Sequence, residues 1–276
     1  MQSIRFAASL LGRVKMNSSR AGIALVLMIA VLVAQSAAAA SISYGDFPVP
    51  PSGITFQHVT ESSGTDPVPL YGPPTTFVTG MDFNPMSFVA SAVNGAADIT
   101  DGQLNFAIKG LVVSPGNGAG INGFSVTEGG DYSLLGTGTT ATQALAGVSI
   151  HASVTEIDGI PVAPIPLTTS NASVGFNLIA NGGVLKPWSL GTSISNIDGQ
   201  LTTAGKTFTI GATKVEVVID DSLNALSEPL STAFIAKKDF VTTIDSDISG
   251  VLPEPTGVCF VGMLLCGFAS RRRARA

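Results

Sequence analysis

The sequence predicts an all-β chain, an antiparallel β-sandwich of jelly-roll or Ig-like type. It is flanked by an N-terminal signal helix and a C-terminal transmembrane helix. Two observations carry the sandwich. Apolar and polar residues alternate with period two in several segments, as in strands with one face on a core. Gly-containing and Asp-containing turn pairs punctuate the chain between them. About ten short strands with such punctuation fit two packed sheets. With 45% apolar residues, 31 Gly and 16 Pro in 276 residues, the composition supports a packed core.

Residues 1–40 read as a secretory signal peptide. Arg5, Arg13, Lys15 and Arg20 precede the uncharged run Ala21 to Ala34, and small residues at Ala38 and Ala40 place the cut after Ala40. No Arg-Arg pair precedes the apolar run, which favours the general secretion machinery over a twin-arginine route. Residues 41–252 form the expected extracytoplasmic domain. Its prolines at 50, 51, 67, 69, 73 and 74 give Val49 to Pro74 the composition of a long irregular loop.

The clearest strands place Val148, Ile150, Ala152 and Val154, then Val174, Phe176 and Leu178, then Val215, Val217 and Ile219 on one face. Further candidates are Ile54–Thr60, Gln103–Ile108, Gly123–Thr127, Tyr132–Leu135, Thr207–Ile210 and Ala233–Lys237. Thr140–Val148 and Asp221–Ala233 have some helical spacing but are taken as strands, since Pro229 interrupts the second. Turns are expected at Asp101-Gly102, Asp158-Gly159, Asn181-Gly182-Gly183, Asp198-Gly199 and Asp220-Asp221, with Gly129-Gly130 closing a tight hairpin.

Charge divides the chain in three. All seven arginines lie in the first 20 and last 6 residues, whereas residues 41–252 hold 18 acids and 6 lysines, a net of −12. An acidic, arginine-free domain repels phosphate backbones, so no nucleic-acid partner is expected. Cys259 and Cys266 both lie near the C-terminus, so stability outside the cytoplasm rests on packing and not on disulfides.

Residues 253–276 begin with Pro253, Glu254 and Pro255. An uncharged stretch Thr256 to Ser270 follows, then Arg271, Arg272, Arg273 and Arg275 as a basic stop-transfer cluster. Fifteen helical residues span about 22 Å against a ~30 Å hydrocarbon core, a short membrane segment that snorkelling arginines would extend. This order of parts resembles the sorting signal of the PEP-CTERM protein family. The resemblance implies a Gram-negative bacterium, recognition by an exosortase-like membrane protease, and transient anchoring in the inner membrane before release or surface display. The stretches Asp66–Gly72, Asp82–Pro85 and Phe234–Phe240 are similar to segments of uncharacterised members of that family, which implies a matrix or surface role, with exopolysaccharide as a possible associate.

Motifs for catalysis are weak. Gly118-Ala119-Gly120-Ile121-Asn122-Gly123 matches a dinucleotide fingerprint, but strand-like alternation follows it where a helix is needed, so it reads as a Gly-rich loop. Gly205-Lys206-Thr207 lacks the glycine spacing of a phosphate loop and reads as a turn into a strand. His58 and His151 fall on polar strand faces, and there is no G-x-S-x-G elbow or H-E-x-x-H pair. No catalytic residue and no cofactor is expected. Asp98 with Asp101, Asp220 with Asp221, and Asp245 with Asp247 offer oxygens to a structural Ca²⁺, but none has EF-hand spacing and turn capping is the preferred reading. Trp188 is the one large face on which a sugar would stack, although a lone tryptophan more often plugs a core. The expectation is an exported, non-enzymatic envelope or matrix protein, with a carbohydrate-binding module as alternative and a secreted hydrolase behind it.

Overall fold

A computed structural model describes residues 40–50 and 52–249. The signal segment with Ala38, the sorting motif Pro253-Glu254-Pro255, the cysteines and the arginine cluster lie outside the described residues. Among the described residues no helix is long and apolar enough to cross a membrane.

Among the described residues there are fourteen strands: β1 (Ala40–Val49), β2 (Ile54–Ser63), β3 (Thr75–Phe77), β4 (Gly80–Phe83), β5 (Val89–Val93), β6 (Ala97–Gly110), β7 (Val112–Ser114), β8 (Asn117–Gly136), β9 (Gln143–Ile157), β10 (Ile160–Pro166), β11 (Ser170–Asn177), β12 (Gly183–Ile194), β13 (Ala212–Leu226) and β14 (Ser231–Ser249). Two short helical turns, α1 (Leu178–Asn181) and α2 (Ile197–Thr203), interrupt them. The strands form two seven-stranded sheets, all pairs antiparallel, consistent with the expected β-sandwich. The first sheet runs β1-β2-β6-β13-β9-β10 with β11 also on β9; the second runs β12-β8-β14-β4-β3 with β5 on β14 and β7 on β8.

Alternation places the core. In β13, Val215, Val217, Ile219, Leu223 and Ala225 are buried, and Ile219 sits between Leu104 of β6 and Ile150 of β9. In β9 the buried phase is Ala144, Ala146, Val148, Ile150, Ala152 and Val154. The segments with mixed helical spacing, Thr140–Val148 and Asp221–Ala233, supply parts of β9, β13 and β14, with Pro229 in the connection between the last two.

Several turn expectations are corrected. Gly129-Gly130 is not a hairpin: it lies inside β8, where Gly130 pairs with Trp188 on one side and Lys237 on the other. A Cβ on Gly130 would stand 1.9 Å from the Ala236 carbonyl oxygen, so these glycines serve close strand approach beside a bulge between Lys237 and Asp239. Asp101-Gly102 and Asp220-Asp221 are mid-strand in β6 and β13, with Gly102 directly opposite Asp221. The Gly118–Gly123 motif is also strand within β8, not loop, because its small residues let the Ile210 backbone pass close to Gly120.

Asp198-Gly199 lies within α2, which the Asn196 side chain caps by accepting from the Gly199 N–H and which buries Ile197 and Leu201 one turn apart. Thr207–Ile210 is not a strand; Asp158 accepts the N–H groups of Thr209, Ile210 and Gly211 and holds the chain in a turn. Val49–Pro74 is not one long loop, since β2 occupies its middle. Asp158-Gly159 does form the expected tight turn, with φ of 51° and 80°.

The close approach at Gly130 is testable. Gly130→Ala forces β8 and β14 apart and is expected to lower stability by about 2 kcal/mol in urea unfolding. A loss below about 0.5 kcal/mol would show that the approach is not constrained.

Candidate functional site

The most unusual chemistry lies between the sheets. Lys237 of β14 and Glu128 of β8 are each 1% exposed, and Asp221 of β13 is 3% exposed. All three occupy inward strand phases otherwise filled by apolar residues. Lys237 Nζ touches Glu128 Oε2 and lies 2.8 Å from Asp221 Oδ2, so the second sheet's ammonium reaches the first sheet's carboxylate. Neither contact has hydrogen-bond alignment; they are close charge contacts.

Aromatic rings close the chamber. Nζ stands 4.5 Å from the centroid of Phe88, 5.1 Å from Phe240 and 5.5 Å from Tyr71. Tyr71 packs edge-to-face on Phe83, Phe88 and Phe240, and its hydroxyl donates to Asp221 Oδ2 at 2.6 Å. The absent side chain of Gly102 makes room for this packing, because a Cβ there would lie 2.6 Å from the Phe88 ring and 3.0 Å from the Tyr71 ring.

Tyr71 arrives on a loop held by a third buried acid. Glu61 of β2 accepts the N–H groups of Leu70 at 2.6 Å and of Tyr71 and Gly72 at 3.1 Å, and the Tyr44 hydroxyl at 2.8 Å. Asp101 pins the start of the same loop by accepting from Gly64 N–H, Thr65 N–H and the hydroxyls of Ser63 and Thr65.

Protonation follows from burial. Burial pushes the Glu128 carboxyl up to about 8; Lys237 opposes this, and the Asp221 charge and a hydrogen bond with Asp221 add to it. Both Glu128 oxygens and Asp221 Oδ1 lack a donor from elsewhere in the protein. A proton on Glu128 supplies one. Burial, then Asp221, raises the Tyr71 hydroxyl well above the ordinary tyrosine range, so it stays a donor.

A second arrangement is on the outer face of the first sheet. Register aligns Ser62, Gln103, Asp220, Ser149 and Asn171 across five strands, lining a polar cleft of about 680 Å³. His151 lies beside it, with Ser149 Oγ 3.2 Å and Asp220 Oδ2 3.8 Å from the same nitrogen, Nε2, while Nδ1 faces Thr169. A serine triad needs the serine and the orienting acid on opposite nitrogens of the histidine base, so this trio lacks that geometry. Asp220 accepts from Gln103 Nε2 at 2.6 Å. Asp101, although its partial burial works against ionisation, is held below the ordinary carboxylate range by its Thr65, Gly64 and Ser63 hydrogen bonds.

Of the two readings of Trp188, the core plug is the one found. Trp188 is 6% exposed, and its indole N–H donates to the Ala236 carbonyl at 3.1 Å, so it plugs the core. Tyr132 is buried and stacked on Phe176 at 3.9 Å, and Tyr44 is half-buried. His58 is exposed in β2 with φ of 55°. Asp220 and Asp221 point to opposite faces, and no cluster of three metal-binding side chains occurs among the described residues. Sequence reasoning placed Asp220-Asp221 in a turn and passed over Glu128 and Lys237. The available signal was a charged residue on an apolar strand phase.

The chain matches no protein-family model, and it matches no curated protein. Among solved structures it is similar to the carbohydrate-binding module TmCBM61, solved with β-1,4-galactotriose, at a TM-score of 0.21 and 6% identity over 78% of this chain and 94% of that one. It is similar to a family 12 xyloglucanase from Bacillus licheniformis at 0.21 and 8%, over 75% and 100%. It is also similar to the endoglucanase 3 of Trichoderma harzianum at 0.20 and 10%, over 76% and 99%. At these TM-scores the likenesses carry no argument.

The Glu128 proton dictates a pH dependence. The folded state keeps it up to about pH 8, whereas the unfolded chain releases it near ~4.3, so this contribution is complete below ~4.3 and lost as pH rises through 8. Asp101 acts oppositely, as does Glu156 of β9, which despite its partial burial is held low by hydrogen bonds from Lys109 and Thr213; their contribution is lost on acidification below the ordinary carboxylate range. Urea midpoints are expected to fall on both sides of weakly acidic pH. Glu128→Gln should flatten the alkaline limb and leave the acid limb; an unchanged alkaline limb would refute the buried proton.

Proposed function

We propose that this chain is an exported, non-enzymatic structural protein of the cell envelope or extracellular matrix. The observation that carries it is the sealed chamber: the most deeply buried charged cluster among the described residues lies between the sheets, out of reach of any substrate. It gives an inter-sheet link to a domain whose residues 41–252 contain no cysteine. The signal segment and the tail support export and handover to an exosortase-like protease at Pro253-Glu254-Pro255.

Association with exopolysaccharide is a second reading, favoured by the polar ladder from Ser62 to Asn171. Its cleft offers hydroxyl, amide and carboxylate groups without an aromatic platform. Such a site would take sugar through hydrogen bonds alone.

C-terminal mass spectrometry of the protein from its producing cells tests the sorting proposal. A mature end near Pro255 is the expected result, and an intact arginine tail contradicts it. For the second reading, calorimetric titration with the producer's polysaccharide is expected to show binding that Gln103→Ala/Asp220→Ala abolishes. Binding equal in the wild type and the double variant would remove the cleft from the account.

A further inference from the structure

We infer that Lys237 and Asp221 join in an intramolecular isopeptide bond, with Glu128 as the proton relay. The geometry meets the three requirements of amide formation from an amine and an acid. Nζ is already 2.8 Å from a carboxylate oxygen of Asp221, so nucleophile and acceptor need not be brought together. A titratable group touches the nucleophile, since Glu128 Oε2 contacts Nζ. Water, which would solvate the amine and drive the reverse reaction, is excluded by Phe88, Phe240 and Tyr71 and by near-complete burial of all three groups.

The protons balance. The ammonium, the Asp221 carboxylate and the protonated Glu128 carry no net charge, and neither do the amine and the two carboxylic acids that proton transfer among them yields. A chamber closed to water favours the second set over separated charges. Glu128 takes a proton from Nζ on the oxygen that faces it and delivers one to Asp221 Oδ1 from its other oxygen. The Nζ lone pair then adds to Asp221 Cγ. Negative charge gathers on Oδ2, where the Tyr71 hydroxyl already donates at 2.6 Å. Glu128 relays the second Nζ proton to Oδ1 as the Cγ–Oδ1 bond breaks. One Nζ–Cγ bond forms, one water leaves, and Glu128 ends protonated as it began. No oxidant, cofactor or outside reactant is consumed.

Tyr71 also selects the acceptor. Its hydroxyl polarises Asp221, whereas no hydroxyl or backbone N–H donates to either Glu128 oxygen. The bond would weld β13 of one sheet to β14 of the other and close a loop of the fifteen residues between Asp221 and Lys237. In a domain whose described residues contain no cysteine, it is a covalent staple that no reductant opens.

Peptide mapping of the full chain, purified from producing cells and digested after denaturation, tests this. The expected result is a β13 peptide joined to a β14 peptide through Asp221 and Lys237, lighter by one water than the two together. Folded Glu128→Gln protein should instead yield the two peptides separate and unmodified. Wild-type peptides with free Lys237 and Asp221, or a link from Lys237 to Glu128, would overturn the proposal. Full linkage in Glu128→Gln would overturn the relay. Should that variant fail to fold, the wild-type map alone still decides whether the bond exists.

Discussion

Moving an ammonium ion out of water costs several kcal/mol, and the fold accepts that cost at Lys237 only because the Asp221 carboxylate, the Glu128 carboxyl and three aromatic rings converge on its Nζ. The convergence needs both sheets. Glu128 and Lys237 come from neighbouring strands of one, Asp221 comes from the central strand of the other, and neither sheet alone neutralises its own buried charges. Ordinary sandwich packing tolerates sliding of one apolar face over another. A charge cluster does not, because a small displacement separates the ions inside a low-dielectric core.

Peripheral features serve this centre. Glu61 spends its carboxylate on three backbone N–H groups so that the loop carrying Tyr71 enters the core, and Asp101 fixes the start of that loop. Gly102 yields the space that the Tyr71 and Phe88 rings fill, and Gly130 allows the strand beside Lys237 to approach. The acids on outer strand phases face solvent, while the inner acids sit between the sheets. The same residue type thus does opposite work according to strand phase.

Much of the architecture was legible in sequence. The alternation of Val215, Val217 and Ile219, and of Val148 to Val154, identified two central strands and their inward faces. The same rule, continued, puts Asp221 two residues past Ile219 on the buried phase, Glu128 two past Val126, and Lys237 two past Ile235. Turn statistics overrode it: Asp-Asp, Asp-Gly and Gly-Gly pairs read as turns when periodicity was not carried through them. Those pairs mark where β-strands were bent to a special purpose, namely a buried ion or a close approach. Strand order and the pairing of Tyr71 with Asp221, 150 residues apart, depend on tertiary contacts that no local pattern encodes. The polar ladder from Ser62 to Asn171 was hidden for the same reason, since each strand contributes one residue.

Native-state hydrogen exchange on the wild type and on Lys237→Met tests most directly whether the inter-sheet cluster holds the sandwich. Removing the cation leaves the Asp221 carboxylate buried without a counter-charge beside the protonated Glu128, a loss of about 3 kcal/mol or more. The slowest amides of β8, β13 and β14 should therefore lose protection together, by about a hundredfold or more. Protection unchanged in all three strands would contradict the account and return the stability of the domain to apolar packing alone.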